Sequence, residues 1–260
     1  MPLSVHELRG VTLEVHERGT GATVVYVHGE DGLMFSAPLL HDLATHASIH
    51  APVLPGWSDL RWPAHCTSID DLAIVLLDYL RALDERVVLV GTSLGGWVVA
   101  EALVRDTSLV RGAVLVAPVG VKVRGRTDRD YLDLYAAAPD EVARAQHFRT
   151  PVIDRAFLAD VEFVELARAQ HAVTRYAWNP YFHDPKLRAR LSRVRVPVTI
   201  VYGNEDRFVF DADSFYGAYA AAFMPAARLV RVRDAAHRVD EERPEVIVDE
   251  VHRMLTELSS

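Results

Sequence analysis

The chain has 260 residues, half of them apolar and a quarter charged, with a formal net charge of -8. That balance belongs to an ordinary globular protein large enough to bury a substantial core. The acidic surface argues against nucleic acid and anionic membranes as partners, and the single cysteine, Cys66, excludes an internal disulfide.

No basic segment followed by an apolar stretch opens the chain, and no apolar run reaches the ~18 residues that span a bilayer. The expected location is the cytoplasm, with Cys66 a small buried or half-buried thiol.

In chain order, short apolar and β-branched runs predict strands. They are Thr23 to Val27, Arg86 to Val90, Gly112 to Ala117, Val196 to Tyr202 and Arg228 to Val232. Ser48 to Pro52 also reads as a strand. Several runs are apolar on both faces, as in central strands of a parallel sheet covered on both sides. Ser68-Ile-Asp-Asp71 resembles a capping box ahead of apolar positions Leu72, Leu76, Leu80 and Leu83, which predicts a helix. A buried helix is predicted from Gly95 to Val104, and an amphipathic one from Pro244 to Leu258 with proline near its start. Strand alternating with helix predicts a doubly wound, mostly parallel α/β fold.

Between about Val121 and Arg193 the strand pattern stops. Pro139 to Ala145 and Phe157 to Arg168 read as helices. The expected organisation is a core of residues 1–120 and 194–260, interrupted by a helical cap of residues 121–193.

The chemistry centres on Gly91-Thr-Ser93-Leu-Gly95-Gly96, between a predicted strand and a predicted helix. A serine on so tight a turn has strained backbone angles and needs small neighbours. The turn lifts Ser93 Oγ clear of the sheet edge, beside free N–H groups at the helix start. The pentapeptide alone is weak; its place after a strand and before a helix gives it weight.

With that turn in place, the chain resembles the α/β-hydrolase family, specifically its capped serine hydrolases. Val27-His28-Gly29-Glu30-Asp31 is similar to the family's oxyanion loop. Leu54-Pro55-Gly56-Trp57-Ser58-Asp59 looks like its Pro-Gly-x-Gly-x-Ser loop, with Trp57 in place of the second glycine. Asn204-Glu205-Asp206 ends a late strand, where the family keeps its acid. Ala235-Ala236-His237 follows the last strand, where it keeps its histidine, with Ala236 in place of a common glycine. The order Ser, Asp, His is that of the fold.

The resemblance implies a triad of Ser93, His237 and Asp206, with oxyanion donors from the backbone N–H groups of Leu94 and Glu30. Asp211 and Asp234 are the competing acids. Asp206 is preferred because it lies past a strand's carboxyl end, where α/β sites form. His28 resembles the family's structural histidine under the oxyanion loop. His28, Trp57, Tyr131, Tyr135 and Trp178 are candidates for substrate contact, and Phe148, Phe157, Phe163, Tyr176 and Phe182 could also wall an apolar pocket.

A serine at this turn implies an acyl-enzyme, as a carboxylesterase forms from the ester of a small apolar molecule. The alternatives are C–C bond hydrolysis of a diketone, as in the family's ring-fission-product hydrolases, and a non-catalytic ligand-binding member. No cofactor is expected. No metal is expected either, since the chain has no His-Glu-x-x-His, paired cysteines or calcium-type acidic loop. The expected partner is a small-molecule substrate, with no nucleic acid or membrane; a homodimer stays open.

Overall fold

A computed structural model describes residues 2–149 and 160–259. Eight strands form one sheet: β1 (Leu3–Leu8), β2 (Val11–Arg18), β3 (Thr23–Val27), β4 (Ser48–Val53), β5 (Val87–Thr92), β6 (Val110–Val116), β7 (Val198–Gly203) and β8 (Arg228–Val232), in the order β1-β2-β4-β3-β5-β6-β7-β8. The pairs β1/β2 and β2/β4 are antiparallel, and the others are parallel. The doubly wound, mostly parallel sheet is as predicted. The hairpin of β1 and β2 has no counterpart among the predicted strands.

Side chains along the central strands alternate between two apolar layers, as the period of two requires. Val25, Val27, Leu89, Leu115 and Ile200 face one layer, while Val24, Tyr26, Val88, Val90, Val114, Val116 and Val201 face the other. Helices α2 (Ile69–Leu83) and α3 (Leu94–Arg105) contribute to the first; α1 (Ala37–Leu43) and α9 (Pro244–Glu257) contribute to the second. The capping box of α2 forms as read: Asp71 N–H donates to Ser68 Oγ, and Ser68 N–H donates to Asp71 Oδ2.

Between β6 and β7 lie only helical and irregular segments among the described residues: α4 (Pro139–Gln146), α5 (Asp160–Ala177), α6 (Leu187–Arg190) and a 3-10 turn (Leu191–Arg193). The predicted helix from Phe157 begins outside the described residues. After β7 come α7 (Ala212–Ala222) and, past β8, the short α8 (Val239–Glu242). No helix among the described residues is long and apolar enough to cross a membrane.

The turn from β5 into α3 brings backbone very close to backbone. A Cβ at Gly95 would overlap the carbonyl oxygens of Val27 and His28. Glycine there lets α3 start directly against the end of β3, which sets Ser93 beside the β3 loop.

Candidate active site

Ser93 sits between β5 and α3 with φ 48° and ψ -111°, a conformation that L-residues avoid. Such strain persists only where the surroundings over-determine it, and it clusters at functional sites. Here the Ser93 N–H donates to Val116 O at 2.8 Å and its carbonyl accepts from Trp97 and Val119. The side chain points into a closed environment, with no exposed surface on Ser93 or His237.

Three of the predicted residues come together. His237, on the loop after β8, brings Nε2 to 2.8 Å from Ser93 Oγ. Its Nδ1 lies 2.8 Å from Asp206 Oδ2, on the loop after β7. The Asp206 carboxylate is fixed on both oxygens: Oδ1 accepts from the N–H groups of Phe208 and Val209, and Oδ2 accepts from Tyr216 Oη–H at 2.7 Å. Burial alone would lower the His237 pKa, but the charges of Asp206, Glu30 and Asp240 outweigh it and hold the ring above its ordinary value. The Phe208 ring stands edge-on to the imidazole at 4.6 Å. Of the competing acids, Asp211 caps α7 through Ser214 N–H, and Asp234 occupies a left-handed turn.

The β3 loop adds an unforeseen group. Glu30 is expected only for its backbone N–H, yet its side chain enters the site, where Oε1 accepts from Ser93 Oγ–H at 2.5 Å. Its Oε2 is buried without a hydrogen-bond partner, 3.9 Å from Arg238 Nη1. Arg238, directly after His237, is almost wholly buried and also pairs with Asp31 and Glu241. Sequence reading missed Arg238 and Tyr216 as well, because a lone arginine or tyrosine carries no spacing signal.

The expected contact residues divide. His28 is committed to its loop: Nδ1 contacts Gly29 O at 2.8 Å, and Nε2 accepts from Leu54 N–H. Burial pushes its pKa down to about 4, so it stays neutral. Tyr131 is likewise built into the core rather than free for substrate. Its hydroxyl bonds Gly120 N–H and Val121 O, and its ring packs on Phe182, Phe208 and Phe215. Trp57 links three segments: its indole N–H donates to Glu30 O at 2.7 Å, and its ring stacks on Tyr176 of α5. Tyr135 and Trp178 meet edge-to-face and are exposed, as are Phe148 and Phe163; Phe182 is core, and Phe157 lies outside the described residues. Cys66 is buried, which pushes its thiol up to about 11.

A model of the alpha/beta hydrolase family matches residues 24–250. The chain belongs to the alpha/beta hydrolase family. No curated protein matches it in sequence. Among solved structures, this hydrolase resembles a membrane phospholipase A described as a bacterial virulence factor (18% identity, TM-score 0.79, 99% of this chain and 87% of that one). It also resembles the meta-cleavage product hydrolase CumD (18% identity, TM-score 0.76, 98% of each chain). A third is a thermophilic esterase from Thermogutta terrifontis (17% identity, TM-score 0.75, 100% of each chain). At these identities the likeness concerns the fold.

Two acidic features of the hydrolase make no hydrogen bond to Ser93. The carboxylates of Asp70, Glu101 and Asp184 approach one another, but Arg105 pairs with the first two and Arg190 with the third. Asp240 of α8 is buried, with one oxygen lacking a hydrogen-bond partner. Burial raises its pKa from 3.8 to about 6, despite Arg238. The folded state therefore binds more protons than the unfolded chain between those values, and stability falls as pH rises across that window. Asp240→Asn is expected to stabilise the fold by up to about 3 kcal/mol at pH 8, and not at pH 3.5. Urea unfolding at both pH values checks this; an equal gain at both would assign the effect to packing.

Proposed function

We propose that this hydrolase attacks carbonyl substrates through an acyl-enzyme on Ser93, and that its substrate is the carboxylic ester of a small apolar molecule. The observation that carries the reading is the chain Ser93 Oγ, His237 Nε2, His237 Nδ1, Asp206 Oδ2, with both contacts at 2.8 Å.

In this reading, neutral His237 takes the Ser93 proton as Oγ bonds to the carbonyl carbon, then gives it to the departing alkoxide. Water repeats the sequence on the acyl-enzyme and regenerates Ser93. Asp206 keeps the proton on Nδ1 and stabilises the imidazolium. Leu94 and Glu30 supply backbone N–H groups to the oxyanion, each typically worth ~3 kcal/mol in the transition state. Residues 121–193 act as the cap and limit substrate size, with Trp57, Tyr135 and Trp178 as its candidate contacts. The proposed setting is the cytoplasm, with free small molecules rather than nucleic acid or membrane as partners.

The test is turnover of short p-nitrophenyl esters together with labelling by a serine-directed fluorophosphonate. Both are expected, with the label on Ser93. Labelling with turnover of a diketone but of no ester would move the reading to C–C hydrolysis. Neither turnover nor label would make the chain a binding member of the fold.

A further inference from the structure

Ser93 Oγ carries one hydrogen but touches two groups that are normally acceptors: Glu30 Oε1 at 2.5 Å and His237 Nε2 at 2.8 Å. With the ring's Nδ1 proton on Asp206, a neutral imidazole presents a lone pair at Nε2. A carboxylate presents lone pairs only. One hydrogen cannot satisfy both contacts, and two oxygens at 2.5 Å need a proton between them. Adding one proton resolves both. The contacts would allow it on Glu30 or on the imidazole, and the Asp206 carboxylate against Nδ1 favours the imidazole: Nε2–H then donates to Ser93 Oγ, and Oγ–H donates to Glu30 Oε1.

We infer that Ser93, Glu30 and His237 rest with one proton more than a simple serine–imidazole pair, and that Glu30, together with Asp206, holds this proton on His237. The inference rests on the acyl-enzyme reading above, and it adds Glu30 as a residue that sets the pH at which the nucleophile is armed. In the resting state the Ser93 proton points at Glu30, away from the base. Release of one proton from Nε2 to water leaves a neutral imidazole. Oγ–H can then turn to it, and attack becomes possible. Glu30 loses its donor in that step; the nearest cation to its free Oε2 is Arg238, whose guanidinium approaches at 3.9 Å.

The surrounding charges favour the extra proton. Facing the imidazole are Asp206 from the β7 loop, Glu30 from the β3 loop and Asp240 from α8, all anionic when ionised. Tyr216 of α7 is a neutral donor, engaged with Asp206. Arg238 opposes them, but Asp31 and Glu241 are paired with it, and His147 meets Glu241 at 3.6 Å from the far side. On the cap side, Tyr135 and Tyr181 feel the Glu30 charge and bring no cation. His28 is neutral.

Two measurements test the inference. The first is the pH profile of kcat/KM for p-nitrophenyl acetate in wild type and Glu30→Gln. Removing one close anion is expected to move the acid limb down by about one pH unit or more, giving roughly tenfold more turnover on the acid side. A merely structural Glu30 would lower the plateau and leave the limb where it was; an unmoved limb overturns the inference. The second is the protonation state of His237 Nε2 in 15N-histidine-labelled wild type. It is expected to be protonated at neutral pH and to lose that proton above the ordinary histidine value of about 6.5. An unprotonated Nε2 at neutral pH overturns the inference even if Glu30→Gln does not fold. If no ester is turned over, the proposed function fails while the ring nitrogen still decides whether the extra proton exists.

Discussion

Ser93→Ala is expected to lower kcat for a p-nitrophenyl ester by about a millionfold and to abolish fluorophosphonate labelling. His237→Ala should cost about as much, and so should the double variant, because a nucleophile without its base and a base without its nucleophile both fail at the same step. Additive losses would mean that the two residues act separately and would sink the shared proton path at 2.8 Å. The backbone supplies a second arm. Ser93 is held at φ 48° and ψ -111°, where any Cβ is unwelcome. Ser93→Gly should be as inactive as Ser93→Ala yet more stable than it by about 1 kcal/mol or more, since glycine relieves a strain that alanine keeps. Chemical denaturation of the two inactive variants checks this. Equal stability would mean that the fold requires no strain at residue 93.

How much of this the sequence discloses depends on how many constraints each residue meets at once. Strands β3, β5, β6 and β7 are legible because a parallel sheet covered on both faces demands continuous apolar runs, and β8 is legible from Leu229, Val230 and Val232 although it is a largely exposed edge strand. The β1/β2 hairpin is not legible. Leu3–Leu8 reads Leu, Ser, Val, His, Glu, Leu, so the apolar alternation breaks at Glu7, and Leu3 and Val5 are exposed on an edge strand that has little buried surface to mark it. Ser93, Asp206 and His237 are legible because each needs a particular residue type at the carboxyl end of a strand. Tyr131 shows the opposite case. An aromatic residue between β6 and β7 has the same letter whether it walls a pocket or closes a core, and here its hydroxyl is taken up by Gly120 and Val121. The Glu30 side chain was invisible for a different reason. The motif fixes the backbone of the β3 loop, while the rotamer that turns the carboxylate toward Ser93 depends on Trp57 holding the Glu30 carbonyl and on Arg238 lying behind Oε2.

Asp206→Asn is expected to lower kcat by about 10⁴-fold with the fold intact, and the surroundings of Asp206 explain why so small a change is so costly. Oδ1 accepts from the N–H groups of Phe208 and Val209, at 2.9 and 3.2 Å. An asparagine must therefore put its carbonyl oxygen there, because an NH2 group would face two donors. That choice places the NH2 at the Oδ2 position, against His237 Nδ1 and the Tyr216 hydroxyl. The amide now donates to Nδ1, so the ring keeps its proton on Nε2 and presents a donor to Ser93 instead of an acceptor. Neutral His237 can no longer take the serine proton. The loss should appear in kcat with little change in KM, and the acid limb should move to lower pH, because one of the anions that raise the His237 pKa is gone. Tyr216 offers the control. Its hydroxyl can reorient to accept from the new amide, so Tyr216→Phe in the wild-type background removes one donor from Asp206 without changing the tautomer. It should cost tens-fold rather than ten-thousandfold. Similar losses in the two variants would mean that Asp206 acts through packing, and the acid would have to be sought elsewhere.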